Sequence, residues 1–181
     1  MRVIGGELGG RRLVAPRGWR VRPTSDRARE AIFSSLGERV VGARVLDLYC
    51  GTGSLAIEAL SRGAAAAVLV DRDTRPALGN VERLGLRERA RLVRADAARW
   101  LAGATRTGER FDLVFVDAPY RLADRVKEPL DSLLPAVLAA DGRVIVESPA
   151  ARPLRLEALE LLRKRRYGAA DVAVYAAEGG R

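Results

Sequence analysis

The chain has no histidine and a single cysteine, Cys50. Without imidazoles, and with one thiol, it can build neither a Cys/His metal site nor a Ser-His-Asp or Cys-His catalytic set. A disulfide framework is excluded for the same reason. Long hydrophobic runs are missing too: nothing approaches the ~20 apolar residues of a membrane span. The opening Met1-Arg-Val-Ile-Gly-Gly6 lacks the apolar core of a signal peptide. The expectation is a soluble, metal-free protein of the cytoplasm, with no membrane partner. Lysine is nearly absent, since 30 of the 32 basic residues are arginine.

What the chain has in excess is positive charge, +9 net over 181 residues. A GC-rich coding bias accounts for arginine over lysine but not for its clustering. Residues 1–29 hold eight arginines against Glu7 and Asp26, so two thirds of the excess lies at one end. Such a patch fits a polyanionic partner. A solvated, merely solubilising face is the bland alternative.

Two short β-type runs, Arg2–Ile4 and Arg11–Val14, are separated by Gly5, Gly6, Gly9 and Gly10 and predict a hairpin. Arg17–Pro23 reads as an extended arm. Thr24-Ser25-Asp26 offers caps for a helix to about Leu36, with Ala28, Ile32, Phe33 and Leu36 at helical spacing. From Arg44, strands are expected at 44–49, 67–71, 91–94, 111–117 and 143–147. They alternate with helices, the clearest at 124–140, and Gly63 and Gly142 fall at expected helix ends. This alternation implies right-handed crossovers and an open parallel sheet. Leu159–Tyr167 and Asp171–Ala176 around Gly168 predict a closing antiparallel hairpin. With no repeat or linker, the chain reads as one domain over 1–181, divided into a basic hairpin and arm (1–23), a helix and connection (24–43) and a core (44–181).

Val45-Leu-Asp47-Leu-Tyr-Cys-Gly51-Thr-Gly53-Ser-Leu55 organises that core: a buried strand, a glycine turn, then a helix start suited to an anionic or nucleotide-type ligand. Asp71, Asp96 and Asp117 follow Asp47 at intervals of 21–25 residues, one βα unit each, so the carboxylates fall along one sheet edge. Ligands bind there, at the carboxyl ends of the strands. The glycines also fit an NAD fingerprint, with Asp71 about 20 residues on. Against NAD stand Asp47, four residues ahead of Gly51, and Asp117-Ala-Pro-Tyr120 directly after an apolar strand.

Asp47-x-x-x-Gly51-x-Gly53, the acids at 71 and 96, and Asp117-Ala-Pro-Tyr120 resemble the class I S-adenosylmethionine-dependent methyltransferases. Arg2-Val-Ile-Gly-Gly, Gly10-Arg-Arg-Leu13, Arg22-Pro-Thr-Ser-Asp-Arg-Ala-Arg-Glu-Ala-Ile-Phe33 and Leu60-Ser-Arg-Gly63 narrow the resemblance to the bacterial RsmD-type 16S rRNA guanine-N2 methyltransferases. The resemblance spans essentially the whole chain. It implies a Rossmann-like sheet of seven mostly parallel strands, a C-terminal antiparallel hairpin and an N-terminal hairpin plus helix. The activity implied is transfer of a methyl group from S-adenosylmethionine, leaving S-adenosylhomocysteine, to a guanine N2 of the guanine-966 type. The partner implied is 16S rRNA, within a small-subunit particle; a monomer is expected.

By that resemblance Asp47, Gly51 and Gly53 would hold the methionine part of the cofactor. Asp71 would accept from the ribose hydroxyls, and Asp96, with the Ala97 N–H, would meet the adenine. For each acid the alternative is a helix cap or a loop carboxylate. Asp117, Ala118, Pro119 and Tyr120 form the expected catalytic loop. Asp117 and the Ala118 or Pro119 carbonyl would orient an exocyclic amine, and Tyr120 would stack on an extruded base. Ala118 departs from the family's second proline, which bears on loop rigidity. An adenine-N6 enzyme more often carries Asn in place of Asp117. Arg2, Arg11, Arg12, Arg17, Arg20 and Arg22 are the expected phosphate contacts. Trp19 is a packing residue or an RNA contact, and Cys50 and Trp100 are packing residues. Arg163-Lys-Arg-Arg166 either extends the basic surface or protects a strand edge. An adenine-N6 RNA or DNA methyltransferase, or a non-catalytic rRNA assembly factor on the same fold, are the alternatives.

Overall fold

The computed structural model of the chain describes residues 1–15, 25–119 and 122–179. Its centre is a seven-stranded sheet of order β3-β2-β1-β4-β5-β7-β6. The strands are β1 (Arg44–Leu48), β2 (Ala66–Asp71), β3 (Ala90–Arg94), β4 (Phe111–Val116), β5 (Leu138–Pro149), β6 (Glu160–Tyr167) and β7 (Ala170–Ala176). The first five pair in parallel, whereas β7 is antiparallel to both β5 and β6. Strand order reverses between β1 and β4, and this opens a crevice at their carboxyl ends.

Near-continuous burial along β1, β2 and β4 reflects cover on both faces. Helices α1 (Asp26–Leu36), α2 (Ser54–Ser61) and α3 (Arg75–Arg83) pack on the face carrying Val45, Leu69, Phe115 and Ile145. Helices α4 (Ala97–Thr107) and α5 (Ala123–Val137) cover the face carrying Leu46, Leu48, Val114 and Val146. Ser25 caps α1 by accepting the Ala28 N–H at 3.1 Å, and the Phe33 ring lies 5.6 Å from that of Phe115 on β4.

Two expectations are corrected. The helix expected at 124–140 ends at Val137, because Pro135 supplies no N–H in its last turn and Leu138 is drawn into the sheet opposite Phe111. Residues 139–142, Gly142 among them, then form an irregularity within β5 rather than a helix end, and regular pairing resumes at Arg143. The expected N-terminal hairpin is present in short form: around the antiparallel Arg2–Arg12 bridge, the N–H groups of Val3, Gly10 and Leu13 donate to the carbonyls of Arg11, Val3 and Met1 at 2.9–3.1 Å. Its connection, residues 5–10, packs as a turn on the end of α2. There Gly6, at φ 78, lies so close that a Cβ would stand 1.9 Å from the Ser61 carbonyl oxygen. The other strand boundaries and the terminal hairpin agree with expectation within a few residues.

Among the described residues no helix is long and apolar enough to cross a membrane.

Candidate functional site

After β1 the chain bends at once. The N–H groups of Tyr49 and Cys50 both donate to the Val70 carbonyl, at 2.9 and 3.2 Å. Tyr49 sits at φ 62, a left-handed conformation that costs a non-glycine residue on the order of 1 kcal/mol. Gly51 and Gly53 follow at φ 54 and 76. At Gly53 the bare Cα is required by packing as well as by conformation, since a Cβ would stand 2.9 Å from Leu69 Cδ2 and 3.3 Å from Ala77 Cβ.

Two of the four acids organise this loop. Asp71 closes β2 and accepts the Gly51 N–H on Oδ2 and the Asp73 N–H on Oδ1, each at 3.0 Å. Half-buried, it keeps a lone pair on each oxygen for further donors. Asp47 is 1% exposed, and its Oδ2 accepts the Ala56 N–H at 3.1 Å. Gly53, the cap residue of α2, has no side chain to do this, so a carboxylate from the adjoining strand caps the helix. Burial, reinforced by the charge of Asp71 and opposed by the Ala56 hydrogen bond, pushes the Asp47 carboxyl up to about 7.

Asp96 is the N-cap of α4, accepting the Arg99 N–H at 3.1 Å, and Ala97 is the first residue of that helix. Its other oxygen accepts from Arg72 Nη2 at 2.6 Å, and this bond first of all holds the carboxyl below its usual range. The cap reading of Asp96 is therefore realised. The Arg72 side chain is 73% exposed, so the pair is weakly held.

Asp117 stands one residue past β4, its N–H directed to the Leu48 carbonyl at 3.5 Å, beside the bend after β1. Ala118 is buried and Pro119 half-buried. The Pro119 carbonyl accepts the Leu122 N–H at 2.8 Å, which leaves the Ala118 carbonyl the better placed of the two to orient an amine. Tyr120 lies outside the described residues.

Of the basic arm, Arg11 and Arg12 are exposed. Arg2 is exposed too, its Nε 3.8 Å from Asp26, while its carbonyl accepts from Arg29 Nη2 at 2.7 Å. Arg17, Trp19, Arg20 and Arg22 lie outside the described residues. Cys50 is buried, which pushes its thiol up and away from the reactive thiolate. Trp100 packs at the core's edge, 6.1 Å from Phe111. Both are packing residues, as expected.

Three contributors were missed from the sequence. Asn80, 1% exposed on α3, donates from Nδ2 to Thr52 O inside the glycine loop and to Val14 O, each at 3.0 Å. Its Oδ1 accepts the Val14 N–H at 2.9 Å. Glu58, fully buried on α2, accepts the N–H groups of Ile4 and Gly5 and the Arg62 Nε at 2.7–2.9 Å. Tyr49, between Asp71 and Asp96, has its phenol pushed up to about 12, by burial first and then by Asp96. Only an ordinary polar residue within a helix marked Asn80 and Glu58, and nothing local marks a left-handed tyrosine.

The crevice thus joins a glycine turn, a capped helix start, a strand-end carboxylate with spare lone pairs and a second strand-end acid 46 residues on from Asp71. These groups fit an adenosyl cofactor: Asp71 for vicinal hydroxyls, and the α2 N-terminus for a carboxylate. Among the described residues no group of His, Cys, Asp or Glu is arranged to hold a metal.

The fold is that of the class I methyltransferases. A Thermus thermophilus protein of unassigned function superposes with a TM-score of 0.83 at 30% identity, covering 98% of this chain and 99% of its own. An S-adenosylmethionine-dependent methyltransferase of Agrobacterium tumefaciens, 21% identical, shares the fold alone, at a TM-score of 0.61 over 74% of this chain and 47% of its own. Residues 1–176 match the family described as Conserved hypothetical protein 95, and the chain belongs to that family, the RsmD-type methyltransferases.

Bacillus subtilis YlbH, described provisionally as an rRNA methyltransferase, is 36% identical over 99% of this chain and its own full length. Ribosomal RNA small subunit methyltransferase D of Escherichia coli is 39% identical over 67% of this chain and 61% of its own.

Proposed function

We propose that the protein transfers a methyl group from S-adenosylmethionine to the exocyclic N2 of a guanine in 16S rRNA, of the guanine-966 type. The observation that carries this reading is the position of Asp117, just past the central strand β4 and bonded through its N–H to the end of β1, beside the glycine turn. The names of the relatives support rRNA as the substrate. Asp117 in place of Asn supports guanine.

The bound cofactor supplies an electrophilic sulfonium methyl. Asp71, braced by the N–H groups of Gly51 and Asp73, accepts from its ribose. Asp47 acts through the loop, fixing the start of α2 so that the backbone at Gly51 and Gly53 receives the methionine part. Asp96 and Ala97 bound the adenine, Arg72 swinging aside. At the target base, Asp117 and the Ala118 carbonyl accept hydrogen bonds from the exocyclic NH₂, and Pro119 stiffens the turn. The amine lone pair would thereby be aimed at the cofactor's methyl group, and the proton that the nitrogen gives up would pass to water. Little acid–base catalysis is needed, so positioning supplies most of the rate. Tyr120 stacks on the base, which must leave its helix or loop to enter. Arg2, Arg11, Arg12, Arg17, Arg20 and Arg22 neutralise phosphates.

The chain works as one domain over 1–181, as a monomer in the cytoplasm, on rRNA within a small-subunit particle. Incubating labelled cofactor with under-methylated small subunits, naked 16S rRNA and DNA tests the assignment. Label in N2-methylguanosine from the small subunit supports it, and label in N6-methyladenosine or in DNA refutes it.

A further inference from the structure

Strand β6 closes the sheet, and all its residues but Tyr167 are exposed. It carries Arg163-Lys-Arg-Arg166. Alternation splits these four cations between the two faces. Arg165 pairs with Val172 and Arg163 with Val174, whereas Lys164 pairs with Ala173 and Arg166 with Asp171. Val172 belongs to the core under α1, α2 and α3, and Ala173 to the core under α4 and α5. Arg163 and Arg165 therefore stand on the α1 face, and Lys164 and Arg166 on the other.

The pairing also fixes their height. Val172 pairs with Glu147 on β5, which follows Val146, the partner of Val116. Glu147 is thus level with Asp117, and one row runs from Asp117 through Glu147 and Val172 to Arg165. Three strand spacings of ~4.8 Å put Arg165 about 14 Å across the sheet from Asp117. On the opposite face Lys164 is engaged, its Nζ 2.6 Å from Asp171, and Arg166 donates to Gly168 O at 3.2 Å. The side chains of Arg163 and Arg165 make no hydrogen bond or ion pair among the described residues.

We propose that Arg165 and Arg163 form a second phosphate-binding site for the RNA, at the sheet edge opposite β3 and in the row of Asp117. This rests on the reading that the substrate is RNA. The occupant is a phosphodiester backbone because two cations without partners among the described residues project from this edge level with the reactive position. Residues 1–15, tied to α2 and α3, would contact one flank of the target nucleotide and β6 the other. A charged edge that serves only against strand-to-strand aggregation would use either face equally; an RNA site uses one.

Arg165→Glu and Arg166→Glu are neighbours with identical charge change and opposite faces, so their comparison isolates the site from the general field. Affinity for 16S rRNA would be measured with S-adenosylhomocysteine bound, across a salt series, with cofactor affinity and thermal unfolding as checks on the fold. Arg165→Glu should weaken RNA binding about tenfold and reduce the salt slope by about one, and adding Arg163→Glu should remove about one more. Arg166→Glu should leave both nearly unchanged. Arg165→Gln should weaken binding in the same order but less, with the fold undisturbed. Equal losses in Arg165→Glu and Arg166→Glu, or none in either, overturn the site while leaving the methyltransferase reading standing. A wild-type protein that binds cofactor but no RNA overturns the RNA reading itself.

Discussion

Asn80 Nδ2 lies 3.0 Å from the carbonyl oxygen of Thr52, between the two loop glycines. The same side-chain amide grips Val14 through both its N–H and its carbonyl. One buried residue thus joins the turn proposed to hold the cofactor to the arm proposed to hold the RNA. Asn80→Ala leaves the buried Thr52 carbonyl without this partner, at a cost of about 1–3 kcal/mol, and frees both backbone groups of the exposed Val14. The expected result is lower stability, weaker S-adenosylhomocysteine binding and faster amide exchange at Val14. Unchanged exchange at Val14 would make the bridge incidental.

Asp71 is expected to matter for both ligand and fold. Asp71→Ala removes two hydrogen bonds to a charged acceptor, worth about 1.5–3 kcal/mol each, that brace Gly51 and Asp73. Cofactor affinity should fall at least about tenfold, a loss of 1.4 kcal/mol, by calorimetry. An affinity within twofold of wild type would remove its assigned role.

Asp47 gives a pH signature. Its folded-state carboxyl is raised to about 7, above the unfolded value near 3.8. The folded state therefore holds a proton that the unfolded state has lost between these values, and stability falls as pH rises through that window. Asn at this position can still accept the Ala56 N–H without ionising. The stability of Asp47→Asn relative to wild type should rise between pH 5 and pH 8, on the order of 2 kcal/mol. Denaturant unfolding at the two pH values checks this, and a pH-independent difference would contradict it.

The strands were legible because burial on both faces makes them continuous apolar runs, and the regular spacing of Asp47, Asp71, Asp96 and Asp117 placed the site at one edge. What was not legible depended on contacts distant in sequence. The glycines at 5, 6, 9 and 10 mark the N-terminal hairpin but not the surface it packs on. Their use is to let residues 5–10 lie against Ser61 and Glu58, some 50 residues on. The early end of α5 follows from Leu138 pairing with Phe111, which helical spacing could not register. Asn80 carries no local signal, since its partners are 28 and 66 residues away. Gly53 was read as admitting a ligand, and its neighbours Leu69 and Ala77 add a packing reason.

Asp117 is proposed to orient a guanine amine for methyl transfer. The most direct measurement of this role is methyl transfer from labelled cofactor to under-methylated small subunits, with nucleoside digestion of the product, for wild type and Asp117→Ala. Wild type should yield N2-methylguanosine, and the variant should lose at least about a hundredfold in rate, some 2.7 kcal/mol, with cofactor affinity kept. Undiminished turnover by Asp117→Ala, or a wild-type product other than N2-methylguanosine, would contradict it.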